Sequence, residues 1–570
     1  MNLAPTNPAA PAASTPGTAR AATVIGRPRL DGRDADAALL VRHIQDHGIE
    51  PLLQRLEGDF ALALTLPDGR LLLAVDRFAI GTMCWRTAPG QVLHDARADT
   101  LAAAQAGLPE AGIRWQALFD YLHFHAIPAP DTVFEGVHRL PAAHYALCQG
   151  AQVVAKRYWA PAFREGQGSD VAALSAEFRR LVRAAVERQL DGSTPACFLS
   201  GGTDSSTVAG MIREITGRGA EAYSIGFEAE GYDEMAYARI AARRFDCRHH
   251  EYYVTPQDLV DSIPAAAAFH DQPFGNSSVV PALHCARQAA LQGVTRLLAG
   301  DGGDELFGGN ARYAKQRVFG WYGQLPGAAR SALLEPLLLG SPLGRLPLLR
   351  KGASYVEQAR TPLPDRLDLY NLLWRVGVSE VLDPAFLSQV DTGAPAALQR
   401  AVWQETPGPC SELNRNLAFD WRFTLADNDL PKVRLATQQA GMGVGFPLLD
   451  TELLDFSLAL PSALKLKGSQ LRWFFKESLR GFLPDEILVK KKHGFGLPFG
   501  VWAVRHAGLQ ALSRDSLHAL GERGVVRPAF VTRLMTELLP AHPGYYGELV
   551  WILMMLEQWL RRARPQLRLR

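Results

Sequence analysis

From Ala196 onward, short apolar segments of the chain alternate with segments of helical pattern. The apolar segments are ACFL, AYSIGF and TRLLAG, and the helical segments between them include SSTVAGMIREI and DEMAYARIAARRF. Short buried strands that alternate with helices form a parallel sheet with helices on both faces. The sequence therefore predicts a doubly wound α/β domain, followed beyond about residue 310 by a largely helical extension.

The part of the chain before this region is predicted to be rich in β-structure. Between Leu52 and Ile80 two apolar stretches flank the turn sequence Pro67-Asp68-Gly69, which is typical of a hairpin. A chain of 570 residues is also too long for one ordinary core. The N-terminal residues are rich in Ala, Pro and Thr and lack the pattern of a secretory signal. We expect a disordered leader over 1–24, a smaller β-rich domain over 25–160 and a larger α/β domain over 161–570.

The composition limits the classes of partner. There are 60 Lys and Arg residues and 58 Asp and Glu residues, so the net charge of +2 gives no overall attraction for nucleic acid or an anionic membrane. The apolar run from Leu549 to Leu556 is too short to span a bilayer and predicts a buried helix. The cysteines lack the spacing of a zinc site, which favours reduced thiols in the cytoplasm. They are Cys84, Cys148, Cys197, Cys247, Cys285 and Cys410.

A loop suited to holding phosphate follows the first strand of the predicted sheet. That strand ends at Leu199 and continues into Ser200-Gly201-Gly202-Thr203-Asp204-Ser205-Ser206, after which a helix begins. Paired glycines let backbone N–H groups approach an anion, hydroxyls add donors, and the helix N-terminus adds positive dipole. The GK[ST] ending of a Walker loop is absent. An ordinary Ser/Gly-rich turn is the alternative reading, although Asp204 suits a bound phosphate only with a cation between them.

A second glycine-rich loop follows the strand TRLLAG. It reads Asp301-Gly302-Gly303-Asp304-Glu305-Leu306-Phe307-Gly308-Gly309. In an open parallel sheet, ligands bind outside the carboxyl ends of the strands. If Asp204 and Asp304 face each other across that crevice, their carboxylates can share a Mg²⁺ ion that arrives with a triphosphate. The two loops in this order predict a site for ATP and magnesium.

In these loops the sequence resembles the asparagine synthetases and their relatives, which include the β-lactam synthetases and lasso-peptide cyclases. SGGTDSS is similar to the pyrophosphatase loop of that family, and GDGGDELFGG is similar to its second signature. The resemblance extends from about residue 30 over nearly the whole chain. Its further segments are SIGF at 224–227, YDE at 232–234, HHE at 249–251, DQPFGNSS from 271, FPLLD at 446–450 and LPDEILVKKKHGFG from 483.

This resemblance implies an ATP pyrophosphatase domain over 161–570 and a glutaminase-like domain of the Ntn type over 25–160. The implied enzyme is an ATP-dependent carbon–nitrogen ligase that activates a carboxylate as its AMP ester and transfers it to a nitrogen nucleophile. Such chemistry depends on electrostatics and positioning more than on covalent catalysis.

The resemblance also implies roles for single residues. Asp301 is implied in forming or consuming the acyl-adenylate, and Lys492 in stabilising charge on the reacting centre. Without the resemblance, Lys490-Lys491-Lys492 reads as a solvated basic patch, and the resemblance places only Lys492 of the three in the cleft. The family contacts adenosine at the positions of Leu199, Ile225, Ala299 and Gly300, holds pyrophosphate at those of Ser200, Gly201, Gly202, Ser205 and Ser206, and binds magnesium at those of Asp204 and Asp304.

The N-terminal domain is expected to be a degenerate glutaminase. Glutamine-dependent relatives carry a cysteine nucleophile directly after the initiator methionine, whereas this chain begins Met1-Asn2-Leu3, and its first cysteine is Cys84 in the hairpin region. The match to that domain starts near Asp31, so the Asn-Gly oxyanion segment of the family is also missing. We expect a retained scaffold or a docking surface for substrate.

A further departure from the family lies between Lys432 and Asp450. Many relatives read approximately KVDRxSMAxxLEVRxPFLD, and this chain carries Arg434, Gly443 and Gly445 where those have Asp, Glu and Arg. We expect these positions beside the acceptor side of the cleft, where the loss of charge argues against aspartate as the substrate.

Three functions remain open at this point. The first is an amide-forming ligase that uses ammonia or an amine, with aspartate, a biosynthetic intermediate such as a sugar acid, or a peptide side chain as acceptor. The second is a glutamine-hydrolysing asparagine synthetase. The third is an inactive protein that senses nucleotide, which the complete set of Asp204, Asp304 and Lys492 disfavours.

Overall fold

The computed structural model describes residues 22–166, 170–324, 326, 327, 330, 335–338, 347–490 and 496–569. Within them the strands are β1 (Ala22–Gly26), β2 (Arg29–Leu30), β3 (Arg33–Asp34), β4 (Leu56–Glu57), β5 (Phe60–Thr65), β6 (Leu71–Val75), β7 (Cys84–Ala88), β8 (Gln91–Asp95), β9 (Val137–Arg139), β10 (His144–Gln149), β11 (Gln152–Arg157), β12 (Ala196–Phe198), β13 (Glu221–Phe227), β14 (Arg248–Val254), β15 (Arg296–Leu298), β16 (Gly443–Gly445), β17 (Leu466–Lys467) and β18 (Gln470–Leu471).

The α-helices of the described residues are Ala37–His47, Ile49–Arg55, Ala98–Ala102, Trp115–Phe124, Val171–Gln189, Thr203–Thr216, Met235–Arg244, Pro256–Phe269, Val279–Leu291, Gly303–Phe307, Ala311–Gln324, Glu335–Leu338, Pro347–Arg360, Leu372–Val376, Val378–Val381, Pro384–Leu387, Ala394–Gln404, Glu412–Asp420, Leu430–Gln439, Thr451–Ala459, Ser462–Lys465, Trp473–Ser478, Asp485–Val489, Phe499–Arg505, Ala507–Glu522, Pro528–Arg533, Leu539–Ala541 and Pro543–Ala563. The described residues also include two 3₁₀ segments, Asp365–Tyr370 and Pro447–Leu449, and two π-helical segments, Trp421–Asp429 and Leu534–Leu538.

The predicted hairpin is confirmed as the pair β5–β6, which lies in an antiparallel sheet of order β1-β5-β6-β10-β11. Leu66 and Gly69 close its turn, because the N–H of Gly69 donates to the carbonyl of Leu66 over 2.9 Å. Smaller antiparallel sheets of order β3-β2-β4 and β8-β7-β9 adjoin it, so the N-terminal part is rich in β-structure, as expected.

The expected leader over 1–24 reaches too far into the chain. Residues 1–21 lie outside the described residues, but residues 22–24 belong to β1, which pairs with β5 and places Val24 opposite Leu62. Pairing with a neighbouring strand satisfies the backbone polar groups of residues 22–24, so this segment can form a strand although the residues before it are rich in alanine.

The alternating segments from Ala196 form a parallel sheet of order β14-β13-β12-β15-β16, which confirms the doubly wound prediction. The chain runs outward from β12 through β13 to β14 and then returns to the other side of β12 as β15. The order of strands reverses between β12 and β15, and ligands of such sheets bind at that reversal. The two glycine-rich loops follow these two strands directly.

Two strands of this sheet escaped the sequence analysis. β14 reads RHHEYYV and is half exposed at one edge, so it lacks the apolar run expected of a buried strand. β16 reads GVG, a composition that favours turns, and it forms because the other edge of β15 lies beside it.

One of the apolar cores is shared by the two predicted domains. The helix Trp115–Phe124 packs in the same buried cluster as the long helix Pro543–Ala563, and the hydroxyl of Tyr121 donates to the carbonyl of Ile552 over 2.8 Å. The run Leu549 to Leu556 is fully buried in that helix, as predicted. Across the described residues no helix is both long enough and apolar enough to cross a membrane.

Candidate active site

The loop after β12 turns sharply into the helix Thr203–Thr216. Gly201 adopts φ = +68°, and a Cβ atom there would lie 2.3 Å from the backbone nitrogen of Ala238. Only glycine fits this position, because both the backbone angle and the close approach exclude a side chain. The residues that follow begin the helix with Gly202 as its N-cap, so the free N–H groups of the first turn point out of the sheet.

The serine hydroxyls hold this loop in shape. The backbone N–H of Ser200 donates to Oγ of Ser205 over 3.1 Å, and the two hydroxyl oxygens lie 3.0 Å apart. Ser206 lies behind them with a fully buried hydroxyl that has no hydrogen-bond partner among the described residues. The loop has the geometry of an anion cradle at a helix N-terminus.

The second loop lies directly against the first. Gly302 adopts φ = +101°, and a Cβ atom on Gly300 would lie 2.7 Å from the backbone nitrogen of Ser205. A side chain at Gly300 is therefore incompatible with the contact between the loops, and one at Gly302 would collide with Leu449, whose Cδ2 atom would lie 2.3 Å from the Cβ atom.

Arg472 joins the two carboxylates that the sequence analysis assigned to magnesium. Its Nη1 atom donates to Oδ2 of Asp204 over 2.6 Å and to Oδ1 of Asp304 over 2.8 Å, and Nη2 contacts Oδ1 of Asp204 as well. The guanidinium also packs over the ring of Phe475 at 4.0 Å, and only 4% of the side chain is exposed. Asp204 and Asp304 therefore face each other across the crevice, as expected.

The donor set suits magnesium on chemical grounds. Two carboxylates at the mouth of a phosphate-binding loop are the hard oxygen ligands that Mg²⁺ prefers, and the ion takes its remaining ligands from water and phosphate. Arg472 occupies the same carboxylates in this structure, so a magnesium ion bound there would have to compete with that guanidinium for Asp204 and Asp304.

Asp301 belongs to a second charged group deeper in the cleft. Nζ of Lys432 lies 3.4 Å from Oδ1 of Asp301 and 3.1 Å from Oδ1 of Asp429. Burial raises the pKa of Asp301 above its ordinary value, against the opposing attraction of Lys432. Burial alone would lower the pKa of Lys432, but attraction by Asp429 and Asp301 holds it above its ordinary value.

Glu305, which carried no assigned role, adds a further carboxyl to this group. Its side chain is buried, and burial together with the charge of Asp429 raises its pKa to about 8. A buried carboxyl that shares a crevice with Asp301 and Asp429 keeps its proton to a higher pH than an exposed one. A carboxyl of raised pKa in a cleft is a candidate for proton transfer.

Lys490 lies in the cleft, which corrects the expectation that only Lys492 of the basic run does so. Its ammonium lies 3.0 Å from Oε1 of Glu234, 3.4 Å from the carbonyl oxygen of Gly201 and 4.5 Å from the ring of Tyr237. Attraction to Glu234 and to this carbonyl draws Lys490 away from solvent. Lys492 itself lies outside the described residues.

Of the four residues at the family's adenosine positions, three line the cleft and one is buried behind it. Leu199, Ile225 and Gly300 line the cleft, whereas Ala299 is buried behind it and donates its N–H to the carbonyl of Gly445 over 2.8 Å. The cleft has a volume of about 1240 Å³, larger than most single ligands need. His125, from the N-terminal part, lines it beside Glu548, with 4.0 Å between Nδ1 and Oε1.

The three departures from the family do not line this cleft, which corrects our expectation. Arg434 lines a separate cavity, and Gly443 and Gly445 form β16 beside β15. A Cβ atom on Gly445 would lie 2.6 Å from Oε1 of Gln189, so glycine is required there for packing. These positions therefore give no direct argument against aspartate as the substrate.

Sequence reasoning missed most of the charged residues that complete the cleft. Glu305 lies within the second signature, and Lys432 is the first residue of the segment that departs from the family, so both carried a local signal. Arg472 and Glu548 carried none, because neither belongs to a recognisable motif: Arg472 follows the short strand β18, and Glu548 lies within a long helix. These residues are Glu305, Asp429, Lys432, Arg472, Lys490, His125 and Glu548.

Comparison with known proteins gives two family matches. The asparagine synthase family model matches residues 177–561, and the glutamine amidotransferase domain model matches residues 31–159. The chain is 24% identical over 476 residues to asparagine synthetase [glutamine-hydrolyzing] 1 of Bacillus subtilis (strain 168), covering 82% of this chain and 72% of that protein.

Two further relatives extend this picture. A putative asparagine synthetase [glutamine-hydrolyzing] of Mycobacterium bovis is 27% identical over 481 residues, covering 82% of this chain and 71% of that protein. Amidase chry2 of Gibberella zeae is 24% identical over 303 residues, covering 48% of this chain and 43% of that protein. The long matches cross both parts of the chain, so the similarity is not confined to the nucleotide loops.

Proposed function

Because this chain belongs to the asparagine synthase family, we propose that it is an ATP-dependent ligase that adenylates a carboxylate and joins it to ammonia or an amine. The observation that carries the proposal is the contact between the two glycine-rich loops, which brings Asp204 and Asp304 onto one guanidinium at the sheet reversal. This arrangement supports a triphosphate site with its metal ligands on opposite sides of the crevice.

In the proposed reaction, ATP lies with its adenosine against Leu199, Ile225 and the backbone at Gly300. The loop from Ser200 to Ser206 receives the two terminal phosphates through its N–H groups and hydroxyls. Magnesium that arrives with ATP would be held by Asp204 and Asp304 and would neutralise the leaving pyrophosphate. Arg472, released from those carboxylates, remains close enough to add a second positive charge there.

The bond changes follow from this placement. A carboxylate oxygen of the substrate attacks the α-phosphorus, the bond from that phosphorus to the bridging oxygen of pyrophosphate breaks, and pyrophosphate leaves. The nitrogen nucleophile then attacks the acyl carbon, the bond to AMP breaks, and a proton leaves the nitrogen. We assign to the carboxyls of Asp301 and Glu305 the tasks of accepting this proton and orienting the amine. We assign to Lys492 the task of stabilising the charge that develops at the reacting centre.

We further propose that the N-terminal domain supplies no ammonia. Residues 1–160 contain two cysteines, Cys84 and Cys148, and both are buried in strands. Burial raises the pKa of the Cys84 thiol far above its ordinary value and that of Cys148 to about 11, so neither forms the thiolate that attack on glutamine requires. His125 in the cleft supports a role for this domain in binding the substrate of the neighbouring domain.

The cellular setting is part of the same proposal. All six cysteines are free thiols, which suits the reducing cytoplasm. The substrates are a small-molecule or peptide carboxylate and an amine or ammonia, with no nucleic-acid or membrane partner.

The alternative is a glutamine-hydrolysing asparagine synthetase, which the names of the Bacillus and Mycobacterium relatives favour. An exchange of labelled pyrophosphate into ATP, measured against a panel of carboxylates that includes aspartate, tests the proposal. We expect exchange that depends on magnesium and on one class of carboxylate. Absence of exchange with every carboxylate, while ATP still binds, would favour the inactive nucleotide sensor instead.

A further inference from the structure

A second cavity lies between the two parts of the chain, on the reverse side of the helix that carries Lys432. Its volume is about 190 Å³, which exceeds the cavity of about 150 Å³ that accommodates benzene in another protein. Thr82, Ala96 and Arg97 line it from the N-terminal part, and His270, Asp271 and Arg434 line it from the synthetase part. It shares no lining residue with the cleft.

Two opposite charges line this cavity without forming an ion pair. Arg434 has one side-chain hydrogen bond, to Oε1 of Gln438 over 3.3 Å, and Asp271 accepts one from the N–H of Ala98 over 2.9 Å. Among the described residues no carboxylate oxygen lies within 4.0 Å of the Arg434 guanidinium. Burial lowers the pKa of Arg434 to about 10, and the charges of Arg139 and Arg97 add to this shift while that of Asp271 opposes it.

The other charged residues of the cavity are already paired. Arg97 donates to Asp99 over 2.7 Å, and Asp427 accepts from Arg139 over 3.1 Å and from Arg422 over 2.8 Å. Arg434 and Asp271 are therefore the two charged residues of the cavity that have no ion-pair partner within 4.0 Å among the described residues, and they attract each other only over a longer distance.

His270 adds an uncharged polar group to the same wall. Only 3% of it is exposed, and neither ring nitrogen has a hydrogen-bond partner among the described residues. Burial lowers the pKa of His270 to about 3, so the ring is neutral and offers one donor and one acceptor. A buried polar ring with both nitrogens unused is costly unless a bound molecule or water satisfies it.

We propose that this cavity binds a small α-amino acid as its zwitterion, with the carboxylate on Arg434 and the ammonium on Asp271. A zwitterion satisfies both charges at once, whereas a simple anion leaves Asp271 uncompensated and a simple cation leaves Arg434 uncompensated. His270 contributes a further hydrogen bond to the ligand. The site is separate from ATP and from the acyl-transfer chemistry, so it stands whether or not the proposed function does.

Isothermal titration of the full chain with the proteinogenic amino acids, without ATP, tests the proposal. We expect one amino acid to bind at one site per chain. Its analogues without the carboxylate and without the amino group should each bind at least about tenfold more weakly, because each loses a charged hydrogen bond. Equal binding of all three compounds would overturn the zwitterion, and no amino acid binding at about 10 mM would overturn the site.

Variants locate the site. Arg434→Met and Asp271→Asn should each weaken binding at least about tenfold. Arg287→Met is the matched control, because burial also lowers the pKa of Arg287 while that residue lies outside the cavity, and this variant should bind normally. Ala96→Leu fills the cavity without changing a charge and covers the case in which a charge variant fails to fold. Normal binding in Ala96→Leu would contradict the proposal.

Discussion

The Nη1 atom of Arg472 donates a hydrogen bond of 2.8 Å to Oδ1 of Asp304. The same guanidinium contacts Asp204, so one cation compensates two carboxylates that come from different loops. The single positive charge leaves a net charge of −1 on the three side chains, and a magnesium ion bound to the same carboxylates would have to displace Arg472.

We expect Asp204→Ala and Asp304→Ala to abolish magnesium-dependent release of pyrophosphate. Each change removes a ligand from the metal, and metal stabilisation of the transition state contributes several kcal/mol, so turnover should fall by about a hundredfold or more. A phosphate-release assay coupled to pyrophosphatase measures the effect, and Asp68→Ala in the hairpin turn is the control. Near-normal turnover in either variant would show that the metal ligands lie elsewhere.

Arg472→Met should destabilise the protein in the absence of ATP. It leaves Asp204 and Asp304 facing each other without their cation, and breaking a buried pair by removing one partner costs about 3–5 kcal/mol. Chemical denaturation measures the loss, and added magnesium should restore part of it by occupying the vacated carboxylates. Arg180→Met, which removes an exposed guanidinium, should be nearly neutral. A loss no greater than in that control would contradict the prediction.

Lys492→Met and Lys490→Met should give different kinetic defects. Loss of a preorganised donor to developing charge costs about a hundredfold to a thousandfold in turnover, so Lys492→Met should lower kcat with little change in ATP affinity. Lys490 contacts Glu234 and the carbonyl of Gly201, so its removal should loosen the phosphate loop and raise KM for ATP. Lys156→Met, on exposed β11, is the control. Equal and mild effects in all three variants would contradict both assigned roles and would show that the run Lys490-Lys491-Lys492 is a solvated basic patch.

Glutamine should not be hydrolysed. With purified protein, ATP and magnesium, we expect release of glutamate at background level, because Cys84 and Cys148 are buried and protonated. A thiol reagent should leave both cysteines unmodified until the protein is denatured. Glutamate release well above background that survives Cys84→Ala and Cys148→Ala would mean that another nucleophile is at work.

Lys465 should make stability depend on pH. Its ammonium is fully buried with Asn414 as its 3.0 Å partner, and burial lowers its pKa from 10.5 to about 7. Between these values the unfolded chain holds the extra proton, so stability rises with pH from about 7 to about 10.5, by at most about 1.4 kcal/mol per pH unit. Lys465→Met should flatten that rise in denaturation measured at pH 7, 8 and 9. An unchanged slope would show that Lys465 is charged in the folded protein.

The sheet and its two loops were predictable because their causes are local. An apolar strand followed by Gly201 and Gly202, or by Gly302 and Gly303, specifies both the turn and the exposed N–H groups. The parallel topology then fixes where the loops meet, since the carboxyl ends of neighbouring strands share one edge of the sheet. No later part of the chain was needed for that inference.

The residues that line the acceptor side of the cleft were not predictable, because their positions depend on which face of a helix packs against which neighbouring element. Lys432 and Arg434 are two residues apart, which places them about 200° apart around the helix Leu430–Gln439. Lys432 therefore lines the cleft and Arg434 lines the second cavity, although the sequence comparison placed their whole segment beside the cleft. Arg472 contacts the two loops only because the chain comes back to them after a long, mostly helical segment between residues 311 and 465.

The core shared by the helices Trp115–Phe124 and Pro543–Ala563 bears on how the chain can change over evolutionary time. A domain tethered by a linker can be discarded once its own activity is gone. Here Tyr121 and its apolar neighbours form part of the packing around Trp551 and the rest of that long helix, so deleting the N-terminal residues would strip the synthetase of its own interior. Substitutions that remove the catalytic residues of the smaller domain can therefore be tolerated, whereas substitutions of the apolar residues that it packs against the larger domain cannot.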